Sequence, residues 1–258
     1  MTQKPGPLLS TRPIAHRRAG DGATHDLEEH LRSAALLAGR FAEAWGASET
    51  AALAALWHDL GKYAAEFQAM IAASDPDAHL EGVATGPHNR VNHSSAGALW
   101  AMQRFRNSGF GRLLSYPIAG HHSGLPDWVG EEGRTGLKDR LAEGSHLDRT
   151  LKANPPKSIL KAPLPSTGIP KGADAGLWVR MFASALFDAD FLDAEAFFDP
   201  TVSPGRADWP GLSSLFPKLD AHLARKRPRP NRRPSIASEP RCCKLAELRH
   251  RISRACSR

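Results

Sequence analysis

The sequence predicts an all-α fold. Apolar residues recur every three or four positions through most of the first 200 residues of the 258-residue chain, which is the spacing of one helix face. No stretch shows the alternating apolar and polar pattern of a half-buried strand. The length suffices for one well-buried domain and is short for two, so we expect a single compact helical globule.

The domain is predicted to span residues 26–200. Residues 1–25 contain several Pro and Gly without a sustained period, so we expect an irregular lead-in there. The first helix should begin at Asp26, because Asp26 and Glu29 have the spacing of a capping box. Gly46 is expected to end this helix, since glycine readily adopts the left-handed conformation found after a helix.

The second helix is predicted to begin at Ser48 and to include His58 and Asp59. Its apolar spacing continues to Ile71 beyond an interruption at Gly61. Glycine at that position would let another backbone or a substrate approach closely. Residues 74–92 are polar and are interpreted as a loop.

Later helices follow from the same periodicity. They are predicted at residues 94–106, 111–119, 137–142 and 173–198. Residues 145–172 are interpreted as a flexible insertion, because they are rich in Pro, Lys and Gly from residue 153 onward. Residues 201–258 form a Pro- and Arg-rich tail or linker, with helical spacing again at 245–255.

The basic charge of the chain belongs to its C-terminal tail. The formal net charge is +7, from 34 Lys and Arg and 27 Asp and Glu. Residues from Ala224 onward hold 12 of the basic and 2 of the acidic residues, which leaves a body with a net charge of −3. The tail is interpreted as a solvated linker that can add a salt-sensitive attraction to phosphate.

Composition also argues against a membrane or secreted protein. The longest nearly unbroken apolar run, around residues 51–57, is far below the roughly 20 residues that cross a bilayer. The N-terminus lacks the apolar segment of a secretion signal. All three cysteines lie near the C-terminus, which fits a reducing compartment. We therefore expect a cytoplasmic protein without a membrane partner.

The adjacent His58 and Asp59 are the strongest chemical signal. They lie in an otherwise apolar segment, where an unpaired buried carboxylate would be costly. A divalent metal ion removes this cost, because imidazole and carboxylate are both common metal ligands. A single His-Asp pair is weak evidence, since a buried histidine is usually only hydrogen-bonded.

Further histidines near helix ends strengthen the metal interpretation. They are His30, His93, His121 and His122. Each has an ordinary explanation by itself: a core histidine, an N-terminal cap or a polar turn. Their combined occurrence at successive helix ends is more than these explanations account for.

At this point the sequence resembles the HD nuclease of type I CRISPR interference, which is the nuclease part of the CRISPR-associated nuclease-helicase. The resemblance spans roughly residues 15–200. The double histidine followed by Gly-Leu-Pro is its most specific part, because generic HD phosphohydrolases share only the spaced His, His-Asp and Asp. The matching segments are Leu27-Glu-Glu-His-Leu31, His58-Asp-Leu-Gly-Lys62, His93-Ser-Ser-Ala-Gly-Ala98, Gly120-His-His-Ser-Gly-Leu-Pro126 and Ser184-Ala-Leu-Phe-Asp-Ala-Asp190.

The resemblance implies an HD-domain globule with a metal site between helices. It implies one or two divalent ions, drawn from Mg, Mn, Ni, Co or Fe. The first site would consist of His30, His58, Asp59 and Asp190. Asp59 would bridge to a second site completed by His93, His121 and His122. The implied activity is cleavage of single-stranded DNA that a guide-RNA surveillance complex has opened, together with a CRISPR helicase.

The late carboxylate and Lys62 are the open assignments. Asp190 is preferred to Asp188 as the last ligand, because Asp190 shares a predicted helix face with apolar residues. Asp193 is interpreted as a surface residue. Lys62 is expected either to contact a substrate phosphate, as part of the catalytic group with His58 and Asp59, or to be a surface lysine. The remaining histidines receive no role: His16, His25, His79, His88, His146, His222 and His250.

Alternative functions remain open on the sequence. A phosphohydrolase acting on free or cyclic nucleotides would use the same metals, and a non-catalytic HD module would bind a partner. The sequence contains no phosphate-binding loop of the G-x-x-x-x-G-K-[ST] type, so ATP hydrolysis by that route is not expected. The chain is either a stand-alone nuclease subunit or the nuclease portion of a longer protein.

Overall fold

The computed structural model describes residues 12–18, 20–73, 91–131, 135–166, 174–202 and 212–226. These residues are mainly helical, which confirms the predicted all-α class. The chain divides into two units, Met1–Ala207 and Asp208–Arg258. Among the described helices, none is both long and apolar enough to cross a membrane.

Helices account for most of the first unit. Short 3-10 turns follow α1 and α2, at Glu43–Trp45 and Leu60–Tyr63. The helices are α1 (Leu27–Phe41), α2 (Ser48–Trp57), α3 (Ala65–Ala73), α4 (Ser94–Arg104), α5 (Gly109–Gly120), α6 (Leu137–Ala142), α7 (Ser145–Lys152), α8 (Lys157–Leu160) and α9 (Ala175–Phe198), and the second unit contributes α10 (Leu212–Lys226).

A small antiparallel sheet precedes the first helix. Strand β1 (Ile14–Arg17) pairs with β2 (Thr24–Asp26), and His16 lies opposite His25. The prediction of an irregular lead-in without strands is wrong for these residues. Strands of four and three residues are too short to give a recognisable alternating pattern.

Helix α1 begins as the capping box predicts. The carboxylate of Asp26 accepts a hydrogen bond from the backbone N–H of Glu29 at 3.1 Å. The helix ends at Phe41, earlier than predicted, and the chain continues through the first 3-10 turn to Gly46. That glycine has a φ of 71°, the left-handed conformation that ends the turn.

Helix α2 ends before the His-Asp pair. Its last residue is Trp57, so His58 and Asp59 occupy the turn that follows, and the prediction that both lie within the helix is wrong. The backbone of His93 lies so close to Gly61, which follows this turn, that any side chain at position 61 would clash with it. The close approach that the sequence predicts at Gly61 is confirmed.

The segment interpreted as a flexible insertion is ordered in its first part. Helices α7 and α8 lie within residues 145–166, and Ile159 is fully buried. The indole N–H of Trp57 donates to the backbone oxygen of Ile159 at 2.9 Å, and that of Trp100 donates to Leu160 at 3.2 Å. These bonds, from the buried indole of Trp57 and the partly buried indole of Trp100, attach the segment to α2 and α4, so the interpretation is wrong there.

Three extensive helix contacts form the core of the first unit. Helix α1 packs against α2 and α9, while α4 packs against α5. The face that α1 buries consists of small and branched apolar side chains, among them Leu27, Leu31, Ala34 and Ala38. The same face carries His30, which is fully buried. The predicted loop at residues 74–90 and the helical spacing at 245–255 lie outside the described residues.

Candidate metal centre

The predicted ligands lie in two adjoining clusters that share Asp59. The ligand atoms within each cluster lie within 4.8 Å of one another. The first cluster consists of His30, His58, Asp59 and Asp190, and the second consists of Asp59, His93, His121 and His122. Asp188 is exposed on α9, whereas Asp190 is buried and reaches the first cluster.

The first cluster is compact and enclosed. Asp59 Oδ2 lies 3.5 Å from His30 Nε2 and 3.4 Å from His58 Nε2. Asp190 Oδ1 lies 3.4 Å from His30 Nε2 and 3.3 Å from His58 Nε2. The side chains of His30, His58 and Asp59 are fully buried, and that of Asp190 is 6% exposed. Four ligand atoms therefore face one small volume.

The second cluster uses the other oxygen of Asp59. Oδ1 lies 3.1 Å from His121 Nε2, 3.4 Å from His93 Nε2 and 4.0 Å from His122 Nε2. The side chains of His93 and His122 are 16% and 27% exposed, so this cluster opens to solvent. Asp59 thus separates a closed cluster from an open one.

Close backbone packing brings His93 to the His-Asp turn. A side-chain carbon on Gly97 of α4 would collide with the backbone oxygen of Trp57, and one on Gly61 would lie 2.6 Å from the Cα of His93. Real contacts of such carbons are almost never under 3.0 Å. The two glycines therefore let the start of α4 lie directly against the end of α2.

Hydrogen bonds at the Nδ1 atoms orient the histidines. Nδ1 of His58 contacts Ala55 O at 2.6 Å, Nδ1 of His121 contacts Ile118 O at 2.7 Å, and Nδ1 of His93 contacts Val91 O at 3.1 Å. A carbonyl oxygen only accepts hydrogen bonds, so each of these Nδ1 atoms carries the proton. In a neutral ring, Nε2 is then the lone-pair atom that can bind a metal.

His30 is oriented in the same way by a carboxylate. Its Nδ1 lies 2.6 Å from Asp193 Oδ2, so the ring donates to Asp193 and directs Nε2 toward the first cluster. Asp193 is buried, and its interpretation as a surface residue is wrong. Its spacing of three residues from Asp190 could have indicated a shared helix face.

The geometry fits a divalent cation in each cluster. His30 Nε2 and His58 Nε2 are 3.3 Å apart, and His93 Nε2 and His122 Nε2 are 2.7 Å apart, so lone pairs would meet unless a proton or a cation separated them. Among the described buried side-chain atoms, Asp190 Oδ1 makes no hydrogen bond, and Asp59 Oδ2 forms an ion pair with Lys62. Imidazole and carboxylate together suit several first-row divalent ions.

The carboxylates in the first cluster remain ionised. Burial raises the pKa of Asp59, but Lys62 and His58 outweigh burial and hold that pKa well below its usual range. Burial also lowers the pKa of His58, but Asp59 and Asp190 outweigh it and raise the value to about 9. The cluster therefore attracts positive charge, which protons or a divalent cation can supply.

Lys62 supports Asp59 from inside the protein. Its side chain is fully buried, so the alternative of a surface lysine is wrong. Lys62 Nζ lies 2.7 Å from Asp59 Oδ2. The ammonium therefore faces Asp59 inside the protein and does not face the solvent.

Two histidines without an assigned role lie behind the first cluster. His16 and His25 are buried, and together with His30 they form a third group of potential ligands. Burial lowers the pKa of His25 to about 4, against the opposing effect of Asp193. No sequence pattern indicated these residues, because the pairing of β1 with β2 brings them together.

Comparison with known proteins identifies the family. The family model described as "Cas3, HD domain" matches residues 16–153, which is more than half of the chain. The match includes six of the seven predicted ligands and ends before Asp190 on α9. No curated protein sequence matches the chain. The chain belongs to the Cas3 HD-domain family, the nuclease family of type I CRISPR systems.

Proposed function

We propose that the chain is a divalent-metal-dependent endonuclease that cuts single-stranded DNA in type I CRISPR interference. Family membership supports nuclease activity in this system. The observation that carries the proposal further is Asp59, whose two oxygens face separate groups of ligand atoms. A bridging carboxylate of this kind suits a pair of ions on one phosphodiester.

We assign ligands to two ions. His30, His58, Asp59 and Asp190 would hold the first, and Asp59, His93, His121 and His122 the second. Three imidazoles in the second cluster favour Mn, Fe, Co or Ni over Mg, because Mg²⁺ prefers oxygen ligands. When bound, such ions activate a water for attack on phosphorus and neutralise charge on the phosphate oxygens.

The exposure of the ligands supports a direction of approach for the substrate. The side chains of the first cluster are at most 6% exposed, whereas His93 and His122 face solvent. A phosphodiester would therefore approach along the edge formed by His93 and His122. The buried His58 and Lys62 would keep Asp59 in place as the substrate binds.

Charge supports a partner-dependent nuclease. Without the tail from Ala224 onward, the body has a net charge of −3 and gains no general attraction to DNA. We propose that a CRISPR helicase and a guide-RNA surveillance complex deliver opened single-stranded DNA to the site. This would take place in the cytoplasm.

Cleavage of circular single-stranded DNA tests the proposal. The circle is incubated with the protein and Mn²⁺, Ni²⁺, Co²⁺ or Mg²⁺ in turn, and an endonuclease will linearise it before degrading it. Asp59→Ala should abolish cutting, because it removes one ligand from each cluster. Asp188→Ala is the matched control, since it removes an exposed carboxylate from α9 outside both clusters.

Two results would overturn the proposal. One is equal cutting by the Asp59→Ala variant, which would place the activity elsewhere or in a contaminant. The other is hydrolysis of a panel of free and cyclic nucleotides with no action on the circle. That second result would favour a nucleotide phosphohydrolase that uses the same ligands.

A further inference from the structure

A layer of polar side chains lies behind the first cluster, on the side of His30 that faces away from it. Asp193 Oδ2 is 2.6 Å from His30 Nδ1 and 3.7 Å from His25 Nε2. His25 Nδ1 is 3.3 Å from His16 Nδ1, and His16 Nε2 is 3.4 Å from Lys62 Nζ. The three side chains behind His30 therefore form a chain of close contacts that ends at Lys62, which contacts Asp59.

Which group donates the proton in each contact follows from the chemistry of the two groups that it joins. An ammonium only donates, so Lys62 makes His16 Nε2 an acceptor and leaves the proton of the neutral ring on Nδ1. His16 Nδ1 then donates to His25 Nδ1, which leaves the His25 proton on Nε2, facing Asp193. Asp193 accepts the N–H of His30 at 2.6 Å and faces that of His25 at 3.7 Å, beyond hydrogen-bond distance, so His30 presents its lone pair at Nε2.

The alternative explanation is that this layer binds a third metal ion. His16, His25 and His30 are close enough together to hold one. However, Nδ1 of His30 already contacts Asp193, while Nε2 of His30 faces Asp59 and Asp190. An ion bound among the three histidines would have to displace Asp193 or compete with the first cluster.

We propose that Asp193 is a positioning residue that fixes His30 as a metal ligand, and that His25 and His16 hold Asp193 in place. The proposal rests on the metal sites of the proposed function. Asp193 would not touch an ion bound at His30 Nε2, because its oxygen lies at the opposite nitrogen of the ring. Its negative charge also makes His30 Nε2 a stronger donor to a cation.

Titration with Co²⁺ tests this role without any measurement of cleavage. Calorimetry gives the number and affinity of the bound ions, and the visible absorption of Co²⁺ reports the ligand geometry. Asp193→Ala should weaken one of two bound equivalents by about 10–100-fold and change its spectrum. Asp193→Asn should weaken it less, because the amide oxygen still accepts from His30 Nδ1. Asp188→Asn, on the same helix but exposed, should bind both ions as the unaltered protein does.

The outcomes separate this proposal from the proposed function. Unchanged affinity and spectrum in both Asp193 variants would overturn the positioning role. Three bound equivalents, with one lost in His16→Ala, would establish the competing ion site and likewise overturn it. If the unaltered protein binds no Co²⁺, the proposed metal sites are refuted. NMR of the histidine nitrogens then tests the role of Asp193 separately. A fixed Nδ1–H form of His30 that is lost in Asp193→Ala would support the role of Asp193, and the same form in both proteins would refute it.

Discussion

Asp59 has a different environment at each carboxylate oxygen. Oδ2 faces the buried ammonium of Lys62 at 2.7 Å and the closed first cluster, while Oδ1 faces His121 at 3.1 Å in the open second cluster. Substitution of a ligand used by only one cluster should therefore affect one ion, whereas substitution of Asp59 should affect both. The binding of each ion can therefore be tested separately by single substitutions.

His122→Ala should remove one bound ion and leave the other. His122 belongs only to the second cluster and is partly exposed, so its loss should also leave little change in stability. His30→Ala should instead remove the ion of the first cluster. Calorimetry with Co²⁺ distinguishes the two, with the exposed His222→Ala as a control for loss of any histidine. If His122→Ala weakened the binding of both ions equally, the assignment of two clusters would be contradicted.

Lys62→Met should destabilise the metal-free protein more than the metal-loaded protein. Both Lys62 and Asp59 are fully buried, so removal of the ammonium leaves a carboxylate without its ion pair. Breaking such a pair costs about 3–5 kcal/mol. A bound cation would replace the lost positive charge, so the cost should decrease on loading. Urea unfolding with EDTA and with Mn²⁺ measures both values, and an equal loss under both conditions would refute the prediction.

The sequence identifies side chains that belong to short motifs and misses those that act through tertiary contacts. His58 and Asp59 are adjacent, and the double histidine lies in a distinctive segment, so both could be recognised. Asp193 contacts His30 across 163 positions; its spacing from Asp190 indicates a shared helix face, but nothing near either residue indicates that the two side chains meet. The burial of Asp190 and the exposure of Asp188 could be predicted, because helix periodicity distinguishes a buried face from an exposed one.

The start of α4 is positioned by close backbone packing as well as by side-chain hydrogen bonds, since Arg140 donates to the hydroxyls of Ser94 and Ser95. Gly97 of α4, together with Gly61, allows the backbone of His93 to lie against the turn that carries Asp59. Helix packing thereby sets the position of one ligand of the second cluster.

Gly97→Ala should therefore lower both the stability of the protein and its affinity for the ion of the second cluster. The added carbon would overlap the backbone oxygen of Trp57 and approach Ile118 Cγ2 to 3.0 Å, so α4 must shift. Overpacking of this kind costs about 1–3 kcal/mol. Gly109→Ala is the matched control, because nothing lies within 4 Å of the added carbon there. Thermal unfolding and Co²⁺ titration check both effects, and similar results for the two variants would rule out the packing argument.

Helices were predicted correctly where the nearby sequence contains a strong capping or periodicity signal. The box at Asp26 marks the start of α1, and helix α6 has the predicted bounds. The hairpin and helices α7 and α8 were missed because they are short and their stability depends on partners distant in sequence. The bond from Trp57 to Ile159, for example, joins residues 102 positions apart.

The whole molecule combines an acidic body with a basic C-terminal region. Removal of residues from Arg227 onward deletes ten Lys and Arg and two Asp and Glu while keeping α10 complete. We expect weaker binding of single-stranded DNA and a shallower dependence of affinity on salt, because fewer counterions are released. Fluorescence anisotropy over a salt series measures both. The same slope in the full and shortened chains would show that the tail does not contact DNA.

The β1–β2 hairpin affects how a shortened form of this domain should be designed. A chain that begins at α1 would retain all seven predicted ligands and the whole helical core, and it would look complete by sequence. It would nevertheless lack His16 and His25, which lie behind His30. Such a chain should fold and still load its inner ion poorly, so an inactive truncated preparation would be poor evidence against catalysis by the intact domain.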